Sequence, residues 1–338
     1  MSTVSAAAGN VRRPRVHPLL RFVVLRVLAG LATLLAVSAL VFLGTEVLPG
    51  DAASAVLGRT ATPEELAELR AQMGLDRPAV ERYLDWLSGL VVGDLGNSAA
   101  GFAEGSTRPI WDEISGAVAN SLALALVTAL IMVPLALGLG VLAAIRAGRP
   151  TDHTVSLTSL AIVSLPEFII GSLLILLFFS WLGWLSPISL IPPGESPLSH
   201  PKQLALPVLT LLGASLAASI RMVRAGMIEA LSSDCVQMAR LSGFRERTVV
   251  LRYALRNALA PSVQVLAQNL QYLVGGIIVV EYLFAYPGLG KELVDTVAIR
   301  DVRAVQSIAI LIAAVYIAIN IVADLLVVLL VPRLRTAL

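Results

Sequence analysis

Charged side chains are scarce in this 338-residue sequence: 14% of the residues are Asp, Glu, Lys or Arg, whereas 57% are hydrophobic. Soluble globular domains carry about 25% charged residues. So low a charged fraction excludes an ordinary soluble domain. It indicates an integral membrane protein.

Cysteine and histidine, the usual ligands of structural metals, are also rare. The single cysteine, Cys235, has no second cysteine with which to form an internal disulfide. The three histidines, His17, His153 and His200, lie far apart along the chain. The sequence therefore predicts neither a metal cluster nor a nucleophilic triad.

A nucleotide-binding loop is missing as well. The pattern Gly-x-x-x-x-Gly-Lys-Ser/Thr does not occur, and the run Gly288-Leu289-Gly290-Lys291 is followed by Glu292. The net charge is only +2, and nothing in the sequence is typical of a nucleic-acid surface. We therefore predict no cofactor in this chain, no catalytic residue and no nucleic-acid partner.

Long apolar runs dominate what is present. A helix needs about 20 residues to cross the hydrocarbon core of a bilayer. Runs without an ionisable side chain extend over Val27–Thr45, Ile114–Ile145, Phe168–Gly194, Gln203–Ile220, Asn257–Val280 and Ala304–Ala323. The sequence thus predicts an all-α polytopic membrane protein with six transmembrane helices.

Arginine flanks these runs on one side of the predicted membrane. The arginines concerned are Arg12, Arg13, Arg15, Arg21, Arg146, Arg149, Arg240, Arg245, Arg247, Arg252, Arg256, Arg333 and Arg335. The positive-inside rule makes that side cytoplasmic, so both termini are expected in the cytoplasm. The first run is longer than the core of a signal peptide and lacks a good cleavage site, so we expect it to be retained.

These features divide the chain into four parts. We expect a cytoplasmic tail at 1–18, the first transmembrane helix at 19–48, an extracytoplasmic segment at 49–113 and a five-helix core at 114–335. Within the extracytoplasmic segment, Thr62-Pro63-Glu64-Glu65 predicts a helix over 63–73 that Gly74 ends, and 78–90 reads as a second amphipathic helix.

The cytoplasmic loop at 230–258 is the most informative segment, because a basic, polar stretch from Asp234 to Leu259 separates two apolar runs. Ala239 and Gly243 are spaced to lie on one face of a short helix, and a second helix is expected to begin near Arg245. The segment favours a docking element for another protein; a solvated basic loop is the alternative. Candidate docking residues are Asp234, Ala239, Arg240, Gly243 and Arg247.

Two proline-containing runs are candidates for a translocation path. Pro134 lies in the second predicted span, and the third predicted span carries Pro166 beside Glu167. Such interruptions are tolerated in a membrane where protein or water surrounds them. If a third helix enters the membrane near Thr154, Glu167 lies near the bilayer centre, where a charge costs about 2.5–3.5 kcal/mol. It either contacts the substrate or makes a structural hydrogen bond.

A buried ion pair is the simplest explanation for Asp324 in the last run. Arg221 and Arg224 are expected at comparable depth, near the cytoplasmic end of the fourth run. A carboxylate and a guanidinium at the same depth can neutralise each other. We therefore predict a structural pair between Asp324 and one of these arginines.

Several motifs resemble one known family. They are Leu48-Pro49-Gly50-Asp51, Gly74-Leu75-Asp76-Arg77-Pro78, Gly93-Asp94-Leu95-Gly96-Asn97-Ser98, the loop from Asp234 to Leu259, Tyr286-Pro287-Gly288-Leu289-Gly290 and Arg300-Asp301. Together they resemble the dipeptide/oligopeptide permeases of bacterial ABC importers. The resemblance extends from about residue 20 to Arg335 and is closest to the first of the two permease types.

The resemblance implies the type I ABC importer permease fold and a location in the bacterial inner membrane. It implies as partners a second permease, two ATPase subunits that bind ATP and Mg, and an extracytoplasmic substrate-binding protein. Glu281 matches a family glutamate, which together with Gly288 and Gly290 suggests an external gate or receptor contact. Gln237-Met238-Ala239 replaces the general Glu-Ala-Ala pattern, and Cys235 stands where an aromatic residue is usual.

The implied substrate is a di- or oligopeptide, moved by alternating access. Nickel and glutathione permeases belong to the same family and remain alternatives. An ion-coupled secondary transporter would show paired broken helices and a central ion site, and an intramembrane enzyme would show convergent His, Asp or Ser groups. Neither pattern is visible in the sequence.

The arginine distribution generates a topology prediction. Reporter fusions after Gly93 and Ser196 should report an external location, and fusions after Arg149 and Phe244 an internal one, because arginine-rich loops stay on the cytoplasmic side. An external signal at Phe244 would contradict both the topology and the docking role of the cytoplasmic loop.

Overall fold

The computed structural model describes residues 18–47, 52–57, 61–72, 74–99, 101 and 108–330. The tail at 1–17, the motif Leu48-Pro49-Gly50-Asp51 and the arginines after Leu330 lie outside the described residues. Within the described ranges the structure is helical, without strands; one isolated bridge joins Asn97 and Pro109.

The helices, in chain order, alternate between long apolar elements and short connecting ones. They are α1 (Pro18–Val47), α2 (Ala52–Leu57), α3 (Pro63–Gln72), α4 (Ala79–Val92), α5 (Ile110–Ile145), α6 (Pro150–Val163), α7 (Glu167–Ile175), α8 (Pro201–Leu231), α9 (Asp234–Leu241), α10 (Glu246–Thr248), α11 (Leu255–Leu283), α12 (Leu289–Ala298) and α13 (Val302–Leu330). Two π-helical segments, Leu176–Trp181 and Val249–Ala254, continue α7 and precede α11.

Four helices in the described ranges, α1, α5, α8 and α13, are long and apolar enough to cross a membrane by themselves. A fifth crossing results if α6 and α7, with the π segment that continues α7, are taken as one bent span. The 29-residue helix α11 covers the fifth apolar run but is not among these. The all-helical membrane architecture is confirmed, whereas the number of six spans stays a prediction.

The third apolar run is not a continuous helix. Helices α6 and α7 meet at an angle of 105°. Proline disfavours the helical conformation of the residue before it and has no N–H to donate, and here Pro166 is itself extended, with ψ of 149°. A depth for Glu167 counted along an unbroken helix from Thr154 was therefore wrong. Helix α5, in contrast, continues through Pro134.

Helix α8 occupies the centre of the bundle. In the most apolar 18-residue stretch of α8, 61% of the residues are buried, against 11% in the corresponding stretch of α1 and 17% in that of α13. It packs against α5, α6, α7 and α11, and with α5 and α11 it forms a core that includes Leu124, Leu211, Leu273 and Phe284. Helices α1 and α13 pack against each other at the periphery, where α13 also contacts α11.

Short helices cover one end of the bundle. The expected cap of α3 forms: the Thr62 N–H donates to Glu65 Oε2 at 2.8 Å, and the Glu65 N–H donates to Thr62 Oγ1 at 3.3 Å. Helix α4 packs on the end of α1 through Tyr83 and Trp86, which contact Phe42. Helix α12 lies at this same end, and α9 lies at the other.

Candidate functional site

The inner face of α9 is fixed to the ends of the long helices. Val236 and Ala239 are buried in an apolar cluster, which we call the α9 cluster. Its other buried members come from α5, α8, the π segment and α11, and they are Ala144, Val223, Met227, Ala230, Val249, Val250, Ala254 and Ala258. The cluster therefore joins α9 to the ends of three long helices.

The outer face of α9 is exposed and partly apolar. Asp234 and Cys235 are exposed, as are two large apolar side chains: Met238 at 64% and Leu241 at 83%. Phe244, just after the helix, is 49% exposed. Exposed apolar groups of this size on a short polar helix are typical of a surface that binds another protein.

The predicted pairing of Ala239 and Gly243 on one docking face was wrong. Helix α9 ends at Leu241, and Ala239, at 5% exposure, belongs to the buried α9 cluster. Gly243 lies in the turn beyond the helix with φ of +79°, and a Cβ placed there would have no neighbour within 4 Å. Ala239 and Gly243 do not share a helix face, because α9 stops two residues before Gly243, where the left-handed glycine redirects the chain.

Arg240 was predicted as a docking residue, but within this chain it pairs with Glu246. The Arg240 Nη2–Glu246 Oε1 distance is 2.6 Å, and the pair bridges the turn between α9 and α10. It lowers the pKa of the Glu246 carboxyl from its ordinary value. Arg247 and Asp234 are exposed, so both remain accessible to a partner.

The opposite end of α11 carries a buried carboxylate, Glu281, that is fully shielded from solvent. Ser121 Oγ on α5 donates to its Oε1 at 2.5 Å, and the Gly290 N–H donates to its Oε2 at 2.6 Å. Ser121 Oγ in turn accepts from the Leu289 N–H at 2.8 Å. Glu281 and Ser121 thus satisfy the free N–H groups at the start of α12.

Gly288 and Gly290 are required by the same arrangement. A Cβ at either position would overlap the Glu281 carboxylate. Two further hydrogen bonds hold the preceding turn: Tyr286 Oη donates to the Asn120 carbonyl, and Asn120 Nδ2 donates to the Pro287 carbonyl, each at 2.7 Å. We call this set the Glu281 knot. The structure brings the three predicted gate residues into contact, and it fastens α5, α11 and α12 together.

Glu167 is the first residue of α7, directly after the bend at Pro166. Its carboxylate lies over Gly276 of α11, where a Cβ would come 2.6 Å from Oε1. Tyr272 lies one turn earlier on α11 and is exposed. Glu167 is half-buried, so it joins α7 to α11 and is still open on one side.

The predicted ion pair between Asp324 and Arg221 or Arg224 was wrong. Asp324 pairs with Arg26 of α1, at 3.2 Å between Oδ2 and Nε. Arg224 makes a two-point pair with Asp152 of α6, at 2.5 and 2.8 Å. Arg221 makes no ion pair within the described residues.

Neighbouring helices explain this outcome. Helix α13, which carries Asp324, packs against α1, whereas α8, which carries both arginines, packs against α6. Equal depth along two helices does not place their side chains on facing surfaces.

No candidate metal site is found in the described part of the chain. No three His, Cys, Asp or Glu side chains there lie close enough together to hold an ion.

Comparison with known families agrees with the architecture. Residues 136–336 match the family described as "Binding-protein-dependent transport system inner membrane component". Residues 19–124 match its companion, "Binding-prot-dependent transport system membrane comp, N-term". The first match alone covers more than half of the chain.

Curated relatives align over nearly the whole sequence. The glutathione transport system permease protein GsiC of Escherichia coli strain K12 is 36% identical over 317 residues, which cover 94% of this chain and 99% of that protein. The protein of the same name from Shigella boydii serotype 4 is 35% identical over the same coverage. Both similarities extend through the α9 cluster and the Glu281 knot.

The Glu281 knot generates a stability prediction. Glu281→Ala should lower the thermal unfolding midpoint of the purified protein in detergent, because it leaves buried N–H and hydroxyl donors without an acceptor. Hydrogen bonds to a charged group contribute about 1.5–3 kcal/mol each. Glu281→Gln keeps one acceptor oxygen and should fall between Ala and wild type.

Glu292→Gln is the matched control, since Glu292 lies on α12 outside the knot and makes no side-chain hydrogen bond within the described residues. Its midpoint should equal that of the wild type. A Glu281→Ala protein as stable as Glu292→Gln would show that the knot does not hold the three helices together.

Proposed function

Because the chain belongs to the family of binding-protein-dependent transport system inner membrane components, we propose that it is one of the two permeases of an ATP-driven importer. The family consists of transport subunits and not of catalytic enzymes. The chain is accordingly a multi-pass inner-membrane protein. The proposed partners are a second permease, two ATPase subunits that bind ATP and Mg, and an extracytoplasmic binding protein.

The observation that carries this proposal is the two-sided character of α9. Its outer face is exposed, with Met238, Leu241 and Phe244 available to a partner, and its inner face lies in the α9 cluster. An ATPase that grips the outer face can move the ends of α5, α8 and α11 without any flexible linker. Tight packing transmits such a displacement, because protein interiors are dense and deform little.

The Glu281 knot supplies the matching connection at the far end. It joins α11 and α5 to α12, so a rotation of the two long helices moves the short helix that follows them. In this proposal α9 is the cytoplasmic input, and α12 is the part of the external mouth that responds. Alternating access then needs only the relative motion of helices that are already packed together.

The proposed cargo is a small peptide. The relatives described above are named as glutathione permeases, which favours glutathione, itself a tripeptide, over longer peptides. Nickel is the weaker alternative, because neither of those relatives is named as a nickel permease. An ion-coupled secondary transporter is disfavoured by the family, whose description specifies dependence on a binding protein.

We further propose that Glu167 contacts the passing peptide at the bend between α6 and α7. Its half-buried carboxylate packs over Gly276, and one side remains open to a ligand ammonium. Glu167→Gln should reduce peptide uptake by the assembled complex about tenfold or more, since a charge-assisted hydrogen bond contributes about 1.5–3 kcal/mol. Uptake is measured in proteoliposomes that contain the whole importer.

Tyr272→Phe is the nearby control, because it removes a polar group one turn from Gly276 on α11 and keeps the Glu167 carboxylate. If the carboxylate acts on the substrate, Tyr272→Phe should retain most uptake. Equal losses in the two variants, or unchanged uptake in Glu167→Gln, would leave Glu167 with a structural role only.

The docking role of the α9 turn is tested by Gly243→Trp. A bulky side chain at this exposed, left-handed position should keep the ATPases from seating. A loss of about 2 kcal/mol, the size of an interface hot spot, corresponds to roughly 30-fold weaker binding. Retention of the ATPases on the purified permeases is the measurement, together with peptide uptake.

Gly148→Trp provides a close control. Gly148 also has a positive φ, of +75°, lies in the turn between α5 and α6 at the same end of the bundle, and has open space where its Cβ would be. Its backbone strain should match that of the Gly243 variant, but the ATPases should stay bound. Full uptake by the Gly243→Trp complex would be incompatible with docking through this turn.

A further inference from the structure

A polar cleft of about 450 Å³ lies between α1, α11 and α13, away from the α9 cluster and from the Glu281 knot. Apolar residues make up the rest of its wall, including Ala29, Gly30 and Ile317. The polar residues that line it are Arg26, Thr33, Gln268, Tyr316, Asn320 and Asp324. So many polar groups are unusual on the outer helices of a membrane bundle.

Three of these six polar residues, Gln268, Tyr316 and Asn320, make no side-chain hydrogen bond within the described residues, whereas Thr33 donates to the Ala29 carbonyl and Arg26 pairs with Asp324. Arg26 has a single ionic contact, from Nε to Asp324 Oδ2, and its side chain is half exposed. The Asn320 Oδ1 atom is buried and accepts no hydrogen bond. Neither the Gln268 amide nor the Tyr316 hydroxyl makes a hydrogen bond in the described chain. An unsatisfied polar atom in an apolar environment is costly, so the cleft is built to hold a ligand.

The position of the cleft fits the edge of one membrane leaflet. Arg26 lies eight residues into α1, or about 12 Å along its axis, and Asp324 lies six residues before the end of α13, or about 9 Å. Both are at the same end of the bundle as α9. The surrounding face of α1 is apolar and open, with Leu25 55% exposed and Leu28 56% exposed. A molecule in the cleft can therefore extend acyl chains along α1.

The charges in the cleft form a dipole. Arg26 offers guanidinium N–H groups, while Asp324 and the bare Asn320 oxygen offer acceptors to an ammonium group. A headgroup with a phosphate and a primary ammonium a few ångströms apart satisfies both. We propose that the cleft binds the phosphate–ammonium headgroup of a membrane phospholipid, with Arg26 at the phosphate and Asp324 and Asn320 at the ammonium.

The lipid complement of the purified whole importer tests the proposal. Native mass spectrometry should find phosphatidylethanolamine retained by the wild type, and retained at least threefold less by Arg26→Gln and by Asn320→Ala. Arg26→Lys keeps the positive charge and should retain most of the lipid. Arg21→Gln is the matched control, because Arg21 is an exposed arginine on the same helix outside the cleft.

Thermal shift measurements with added lipids test which headgroup the cleft prefers. Phosphatidylethanolamine should raise the unfolding midpoint of the wild type more than phosphatidylglycerol, which has no ammonium, or phosphatidylcholine, whose ammonium cannot donate hydrogen bonds. Soluble glycerophosphoethanolamine should protect only at much higher concentration, because it lacks the acyl chains that α1 accommodates.

Three results would overturn the proposal. Equal retention of phosphatidylethanolamine by wild type, Arg26→Gln and Asn320→Ala would place the lipid elsewhere. Equal protection by phosphatidylglycerol would exclude the ammonium contacts. Loss of the second permease from the Arg26→Gln complex, with lipid content unchanged, would assign the cleft to the interface between the two permeases.

Discussion

Apolar packing between the inner face of α9 and the ends of α5, α8 and α11 is the interaction on which the proposed mechanism depends. Val236 and Ala239 point into this cluster, so the eight-residue helix is part of the bundle and not an appendage. Its outer face can consequently expose Met238 and Leu241 without loss of position. A loop that only satisfied the positive-inside rule would need neither the buried face nor the exposed apolar one.

Helix α11 connects this cluster to the other end of the molecule. Its first turns contribute Ala258 to the α9 cluster, and its last turn carries Glu281. A carboxylate buried at a helix start is stabilised by several donors at once, here Ser121 Oγ and the backbone of α12. The residue that the sequence predicts as a gate is therefore a structural link between α5, α11 and α12.

The bend between α6 and α7 serves a different purpose. By interrupting the third apolar run at Pro166, it places Glu167 at a helix start against Gly276, instead of along the side of a straight helix. A glycine on α11 is needed for that approach, because any side chain would meet the carboxylate. The polar cleft beside α1 shares α11 with this arrangement through Gln268, but its other lining residues belong to α1 and α13.

The sequence alone determined the membrane class, the helical architecture, the caps of α3 and the family. All of these depend on local composition, on hydropathy or on contiguous motifs such as Gly93–Ser98. It determined neither the ion-pair partners of Asp324 and Arg224 nor the burial of Ala239. The straight third helix expected from the sequence was wrong. Which surfaces of two helices face each other depends on packing angles and on bends such as the one at Pro166. The depth of a residue along its helix axis can be counted from the sequence. The neighbouring helix that its side chain faces is decided only when the helices pack.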